Sequence, residues 1–197
     1  MSAQSLRVAV ADDDGAVLDT LHQMLRALGH QVVCRAVTGT QLVAQCLDAK
    51  PDLAVTDIDM HEIDGLSAAK TLYDQLAMPI ILVSAFCDAE LIARARETQV
   101  AAYLIKPVTT GQLDAAIVLA MRRHNEFRAL VDEAANLRQA LADRKLIEQA
   151  KSLLMQHWNI DEAEAFRRMQ SLASNQHKKM VKIAEIILTA AEALRRF

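Results

Sequence analysis

The chain has 197 residues, 52% of them hydrophobic, and a formal net charge of −3. That length suits one large domain or two small ones. The charge excludes a global electrostatic pull toward nucleic acid or anionic membrane, and no apolar run approaches the roughly 20 residues a spanning helix needs.

The residues before Leu6 hold no basic stretch leading into an apolar core, so no secretory signal is visible and a cytoplasmic location is expected. Cys34, Cys46 and Cys87 have no metal-like spacing and read as buried, reduced thiols. All five glycines and all three prolines fall at or before residue 111. Turn-rich alternation followed by an unbroken Ala/Leu/Arg/Glu-rich stretch argues for two architectures in one chain.

Leu6–Ala11 is a strand candidate that runs straight into Asp12-Asp13-Asp14. Val17, Leu18, Leu21, Met24, Leu25 and Leu28 then recur at helical spacing, stopped by Gly29. Gln31–Cys34 is a second, shorter strand, and a helix from Gly39 ends before Pro51. Leu53–Asp57 reads as an interior strand that ends on an acid. A helix opens at Gly65. Pro79–Ser84 is the fourth strand, Asp88 suits the N-cap of a helix over 89–97, and Tyr103–Ile105 is the fifth strand, followed by Lys106-Pro107 and a helix starting near Thr110. Strict strand–helix alternation predicts an α/β fold, a five-stranded parallel doubly wound sheet with helices on both faces. Ligands of such sheets bind at the carboxyl ends of the strands. Asp12/Asp13, Asp57, Ser84 and Lys106 all follow strands at that edge.

Three carboxylates on one edge repel; two unit charges about 4 Å apart cost roughly 4 kcal/mol at an effective dielectric near 20. A hard divalent cation with oxygen ligands, Mg²⁺, suits such a cluster. It would also offset charge as an anionic phosphate donor approached Asp57, whose carboxylate can serve as a phosphoryl-transfer nucleophile. Lys106 would neutralise one phosphoryl oxygen and the Ser84 hydroxyl would donate to another. Taken singly, each residue also suits a duller role: a solvated turn or helix cap for Asp12-Asp13-Asp14, a turn for Ser84, a loop for Lys106. Their order along one edge is what favours a site.

Residues 5–123 resemble the receiver domain of two-component response regulators. The residues that carry the likeness are Asp12-Asp13, Asp57 with Met60 and Asp64-Gly65 behind it, Ser84-Ala85, Tyr103 and Lys106-Pro107. The resemblance implies a phosphoaspartate at Asp57, supplied by a sensor histidine kinase. It implies Mg²⁺ held by Asp12, Asp13, Asp57 and the main-chain carbonyl of Asp59. It further implies a cis Lys106–Pro107 bond and an aromatic switch at Tyr103 coupled to Ser84. His61 stands where the family usually has proline. Which members of Asp12-Asp13-Asp14 face the metal is left open by one residue.

The second half is helical. Phe127, Leu130, Ala134, Leu137 and Leu141 follow a 3–4 pattern over about two heptads, a seam that suits helix pairing, within a linker over 124–143. A solvent-bridging helix is the plainer alternative. Helix could run nearly unbroken from Thr110 to His157. Asp161 with Glu164 resembles a capping box, and a final helix follows the Ser174-Asn175-Gln176 turn. These helices predict a small three-helix bundle. Between 144 and 182 there are eight basic side chains against four acidic ones. On charge alone a solvated face explains them as well as a nucleic-acid surface does. Trp158 reads as core at a helix junction.

Residues 137 to about 194 resemble an ANTAR domain, an RNA-binding antitermination module found on some response regulators, and the helical domain is expected over 137–197. Arg144, Ile147, Ala150-Lys151, Leu154-Met155, the Asp161–Ala165 start, Phe166, Ala173, Asn175 with Lys178, and Ala184 carry the likeness. Ser152 replaces the usual glycine, and Trp158 a small or polar residue. The resemblance implies a non-enzymatic regulator that binds a leader RNA hairpin, with phosphate contacts from Arg144, Lys151, Arg167, Arg168, Lys178 and Lys179. Phosphorylation would draw Ser84 and Tyr103 toward the acid and bias pairing through the seam. A homodimer and an autoinhibited monomer both fit. The rival readings are a regulator whose helical tail docks a partner protein, and an aspartate-based hydrolase suggested by Asp57-Ile58-Asp59. Against the hydrolase, such enzymes carry that motif on their first strand, and here two strand–helix units precede it.

Overall fold

The structure is a computed structural model that describes residues 5–85 and 100–195. The helix expected over 89–97, its Asp88 cap and Cys87 lie outside the described residues. Two compact units, Met1–Arg128 and Ala129–Phe197, divide the chain.

In the first unit five parallel strands form one sheet in the order β2-β1-β3-β4-β5. The strands are β1 (Arg7–Ala11), β2 (Gln31–Ala36), β3 (Leu53–Asp57), β4 (Ile80–Ser84) and β5 (Ala102–Ile105). Helices α1 (Gly15–Ala27), α2 (Gly39–Ala49) and α3 (Gly65–Leu76) intervene. The central strands β3 and β4 are buried at every position, as a strand covered on both faces must be. Alternate residues feed two cores. Ala9, Ala54, Ile80 and Leu82 pack with Leu42, Leu66 and Leu72 of α2 and α3 on one face. Val8, Val10, Val55, Ile81 and Val83 pack with Leu18, Leu21 and Leu25 of α1, and with Leu113 and Ile117, on the other. Each fully buried leucine or isoleucine contributes about 1.5–3 kcal/mol by leaving water.

β2 runs two residues further than its apolar run suggested. It is an edge strand, and Gln45 of α2 supplies the missing neighbour: its Oε1 accepts from Arg35 N at 3.0 Å and its Nε2 donates to Arg35 O at 3.0 Å. Side-chain caps start the helices. Asp14 accepts from Ala16 N at 2.8 Å, Thr38 from Gln41 N at 3.2 Å and Asp64 from Ser67 N at 2.7 Å. Cys34 and Cys46 are buried free thiols, and burial pushes the Cys46 thiol up to about 12.

Helix α4 runs from Thr110 to Trp158, and the division between the two units falls within it. In the second unit the end of α4, α5 (Glu162–Asn175) and α6 (Met180–Arg195) share a core of Ala150, Leu154, Ala165, Met169 and Ala184. Three alanines there let the helix backbones approach closely. Asp161 caps α5 by accepting from Glu164 N at 2.7 Å, while the Glu164 carboxylate turns to Arg168 at 2.8 Å. The capping box is therefore half formed. The expected seam residues Leu130, Leu137 and Leu141 are exposed in this single chain.

Two glycines hold the loop after β3. A Cβ on Gly65 would run into the carbonyl of Asp57, and one on Gly39 into the carbonyl of Ile63, whereas Gly15 faces open space. Gly65→Ala is expected to destabilise the first unit by about 2 kcal/mol or more, as overpacking against backbone does. Gly15→Ala should be neutral or stabilising by up to about 1 kcal/mol. Urea denaturation followed by circular dichroism checks both; equal midpoints for the two variants would refute the crowding.

Candidate functional site

The site lies where β1, β3, β4 and β5 end. The Asp12 N–H donates to Ala36 O at 3.2 Å, which holds the first residue past β1 in line with the sheet. Asp14 is spent as the α1 cap. Asp12 and Asp13 are the members of the acid run that lie near Asp57. Ligand-capable oxygens of Asp12, Asp13 and Asp57 all lie within 4.8 Å of one another. Asp12 and Asp57 are buried and Asp13 is exposed. Asp59 is exposed two residues beyond Asp57 and its side chain is not in this cluster; the ligand expected of it is its main-chain carbonyl.

Lys106 reaches back from the end of β5. Its Nζ lies 2.7 Å from Asp12 Oδ2 and 2.8 Å from Asp57 Oδ2. The second Asp57 oxygen, Oδ1, accepts from Ile58 N at 2.7 Å. The Lys106–Pro107 bond is cis, as the resemblance implied. Ser84 is fully buried at the end of β4, paired in register with Ile105, and its carbonyl accepts from Lys106 N at 2.8 Å. Tyr103 sits opposite Leu82 in register and packs, partly buried, against the α2/α3-side core.

Burial pushes the Asp12 carboxyl above the ordinary carboxylate range, despite hydrogen bonds from Lys106 and the Asp14 N–H that pull it down. Desolvation acts to lower the Lys106 ammonium, but its bonds to Asp12 and Asp57 outweigh it and leave the group raised. Acid cluster and lysine thus form a desolvated, partly neutralised set. Three hard oxygen donors with one solvent-facing member fit a divalent cation that keeps some of its waters.

Two neighbours were not legible as site residues. Thr56 is buried, and its Oγ1 donates to Asp57 O at 3.0 Å. His61 Nδ1 lies 3.4 Å from Asp13 Oδ2, with its ring largely in solvent. The departure from proline at position 61 was the available signal for the second. Nothing in the sequence marked the first.

In the second unit the residues assigned to RNA contact are not equivalent. Arg144, Lys178 and Lys179 are exposed. Lys178 Nζ donates to Gln176 Oε1 at 3.0 Å. Arg167 and Arg168 both bind the Glu164 carboxylate, at 3.2 and 2.8 Å. Lys151 differs: its side chain is only 8% exposed, and its Nζ lies 2.6 Å from Glu148 and 2.7 Å from Glu162. Those bonds, Glu148 first, raise its ammonium. It clamps α4 to the start of α5. Trp158, expected in the core, is 49% exposed with Arg168 Cζ 5.3 Å from its ring centroid. The helix ends at this residue and Asn159 turns left-handed (φ 50°), which leaves the indole at the rim.

Fold and edge together define an α/β receiver, the input module of a signalling protein. Comparison with known proteins extends this to the whole chain. The family model for the response regulator receiver domain matches residues 8–118, and that for the ANTAR domain matches 135–188. The chain is 36% identical over 182 residues to the transcriptional regulatory protein PdtaR of Mycobacterium tuberculosis (strain ATCC 25618 / H37Rv), covering 92% of this chain and 89% of that one. It is 34% identical over 139 residues to the C4-dicarboxylate transport transcriptional regulatory protein DctD of Pseudomonas aeruginosa, covering 70% of this chain and 29% of that one. Among solved structures, the signal receiver domain of a modulated diguanylate cyclase from Desulfovibrio desulfuricans G20 superposes with a TM-score of 0.59 at 28% identity, over 62% of this chain and 98% of that one. The chain belongs to the response regulators, with a receiver domain followed by an ANTAR domain. It is a non-enzymatic, RNA-binding regulator of the two-component type, and no helix among its described residues is long and apolar enough to cross a membrane.

The raised Asp12 carboxyl means the folded state binds that proton more tightly than the unfolded chain does. Its contribution to stability is full below the ordinary carboxylate range and is lost as pH rises through the raised folded value. Without divalent cation, Asp12→Asn is therefore expected to be more stable than the parent at pH 7, and the gap should close below the ordinary carboxylate range. Added Mg²⁺ should raise the parent's melting temperature and leave Asp12→Asn unmoved. Thermal melts across pH, with and without Mg²⁺, check this; equal Mg²⁺ stabilisation of both proteins would count against the cluster as a cation site.

Proposed function

We propose that Asp57 is the phosphoryl acceptor and that its state governs RNA capture by the helical tail. The observation that carries this is the Lys106 ammonium set between Asp12 and Asp57 beside a third carboxylate. A carboxylate oxygen of Asp57 attacks the phosphorus of a sensor kinase's phosphohistidine; the O–P bond forms as the P–N bond breaks. Asp12, Asp13, Asp57 and the Asp59 carbonyl would hold Mg²⁺, which would supply charge neutralisation for the incoming phosphoryl group. Lys106 exchanges a carboxylate for a phosphoryl oxygen, Ser84 donates to another, and Tyr103 follows Ser84.

The domains we assign are a receiver over 5–123, a linker over 124–143 with the apolar seam, and an RNA-binding module over 137–197. Leader-transcript hairpins are the target class, with antitermination as the outcome. Arg144, Arg167, Arg168, Lys178 and Lys179 contact phosphates, and Lys151 supports the bundle that presents them. The exposed Leu130, Leu137 and Leu141 favour pairing of two copies through the seam. The same exposure is what supports the second reading, a tail that docks a partner protein.

Labelling with a small phosphodonor should be lost in Asp57→Asn and retained in Asp13→Asn at reduced rate. Lys178→Ala and Lys179→Ala should each lower the salt slope of hairpin binding by about one. Lys151→Ala should instead lower stability, because it leaves Glu148 and Glu162 facing each other. Fluorescence anisotropy at several salt concentrations checks the slopes. Hairpin binding indifferent to both Lys178 and Lys179 would favour the partner-docking reading.

A further inference from the structure

Trp158 is the chain's single tryptophan. It borders a groove of about 500 Å³ between the end of α4 and α6, whose walls include Leu153, Ile187 and Ala191. Gln156 and His157 bring polar groups to the same walls. The His157 ring stands 5.9 Å from the indole, tilted by 60°. The Arg168 guanidinium lies over the indole without lining the groove. The Arg168 guanidinium beside the ring shares the one Glu164 carboxylate with Arg167.

This arrangement is poorly suited to an apolar occupant. A second helix packed into the groove would strand Gln156 and His157 away from water, and would desolvate the guanidinium pair with one anion between them. A heteroaromatic base matches it. The π-face stacks on an indole, the edge takes hydrogen bonds, and the attached phosphate meets a guanidinium that shares its one carboxylate partner with a second arginine. Unpaired bases of RNA are recognised in this way, by aromatic and guanidinium stacking and edge hydrogen bonds. The groove volume lies within the range of about 300–1,000 Å³ typical of small-molecule pockets.

We infer that Trp158 and this groove hold one unpaired base of the bound RNA, stacked on the indole with Gln156 and His157 reading its edge. This rests on the RNA-binding reading above and adds what phosphate contacts cannot give, a preference for sequence. It also accounts for a large apolar ring left at the surface.

The test uses the full chain, with and without a small phosphodonor. The probes are a hairpin RNA pool with a randomised loop on a fixed GC-rich stem, and the blunt duplex of that stem. Labelled-RNA anisotropy reports binding, and tryptophan emission reports Trp158 alone. The hairpin pool should quench emission saturably, in step with anisotropy, and the duplex should leave it unchanged. Trp158→Ala should weaken hairpin binding roughly tenfold with an unchanged salt slope, and Trp158→Phe should restore most of it. Selection from the pool by Gln156→Ala should return a different loop sequence. Hairpin binding with unaltered emission and equal affinity in Trp158→Ala would overturn the stacking site and leave the RNA reading intact. Failure of every hairpin to bind the parent in either state would remove both. Emission that shifts with protein concentration in the absence of RNA would assign the ring to a second copy and overturn the inference.

Discussion

The receiver depends on one cation reaching across its strand ends. Asp12 and Asp57 come from adjacent strands of a parallel sheet, so their side chains emerge at the same edge whether or not their charges agree. Without the Lys106 ammonium at 2.7 and 2.8 Å, two buried carboxylates would face each other with only Asp13 beyond them. The sheet creates the conflict and its fifth strand resolves it. Burial still leaves the Asp12 carboxyl raised, because the bond from Lys106 does not fully offset the loss of water around it.

Most of that edge was readable from the chain alone. β3 was bounded at Leu53–Asp57 because a short apolar run between Pro51-Asp52 and a polar loop has few other fates, and the structure places it there. The five-fold alternation gave the sheet, and the acids, hydroxyl and lysine fell at its carboxyl edge in order. What could not be read was anything decided by a neighbour distant in sequence. The length of β2 is set by Gln45, and the environment of Asp13 by His61. The assignment of Asp14 to the cap and Asp12 to the cluster required knowing which residue began α1.

The helical half was less legible, for a physical reason. Charge and apolarity mark a helix face but not what covers it. Lys151 carries the same formal charge as Lys178, yet two glutamates and its burial remove it from the surface. Trp158 has the composition of a core residue, yet the left-handed turn at Asn159 ends the helix before the ring can be enclosed. Both depend on where helices end and which acids lie opposite, and periodicity records neither.

The crowding of Gly65 against the Asp57 carbonyl reaches beyond stability. The contact lies between the main chain at the end of β3 and the first turn of α3, so it limits the residue at 65 and leaves the side chain at 57 unconstrained. Among descendants of this gene the glycine is therefore under the same steric demand whether or not the aspartate side chain is kept, because the carbonyl it lies against remains. Persistence of this glycine would then report the geometry of the strand-to-helix turn and not the chemistry of the acid beside it.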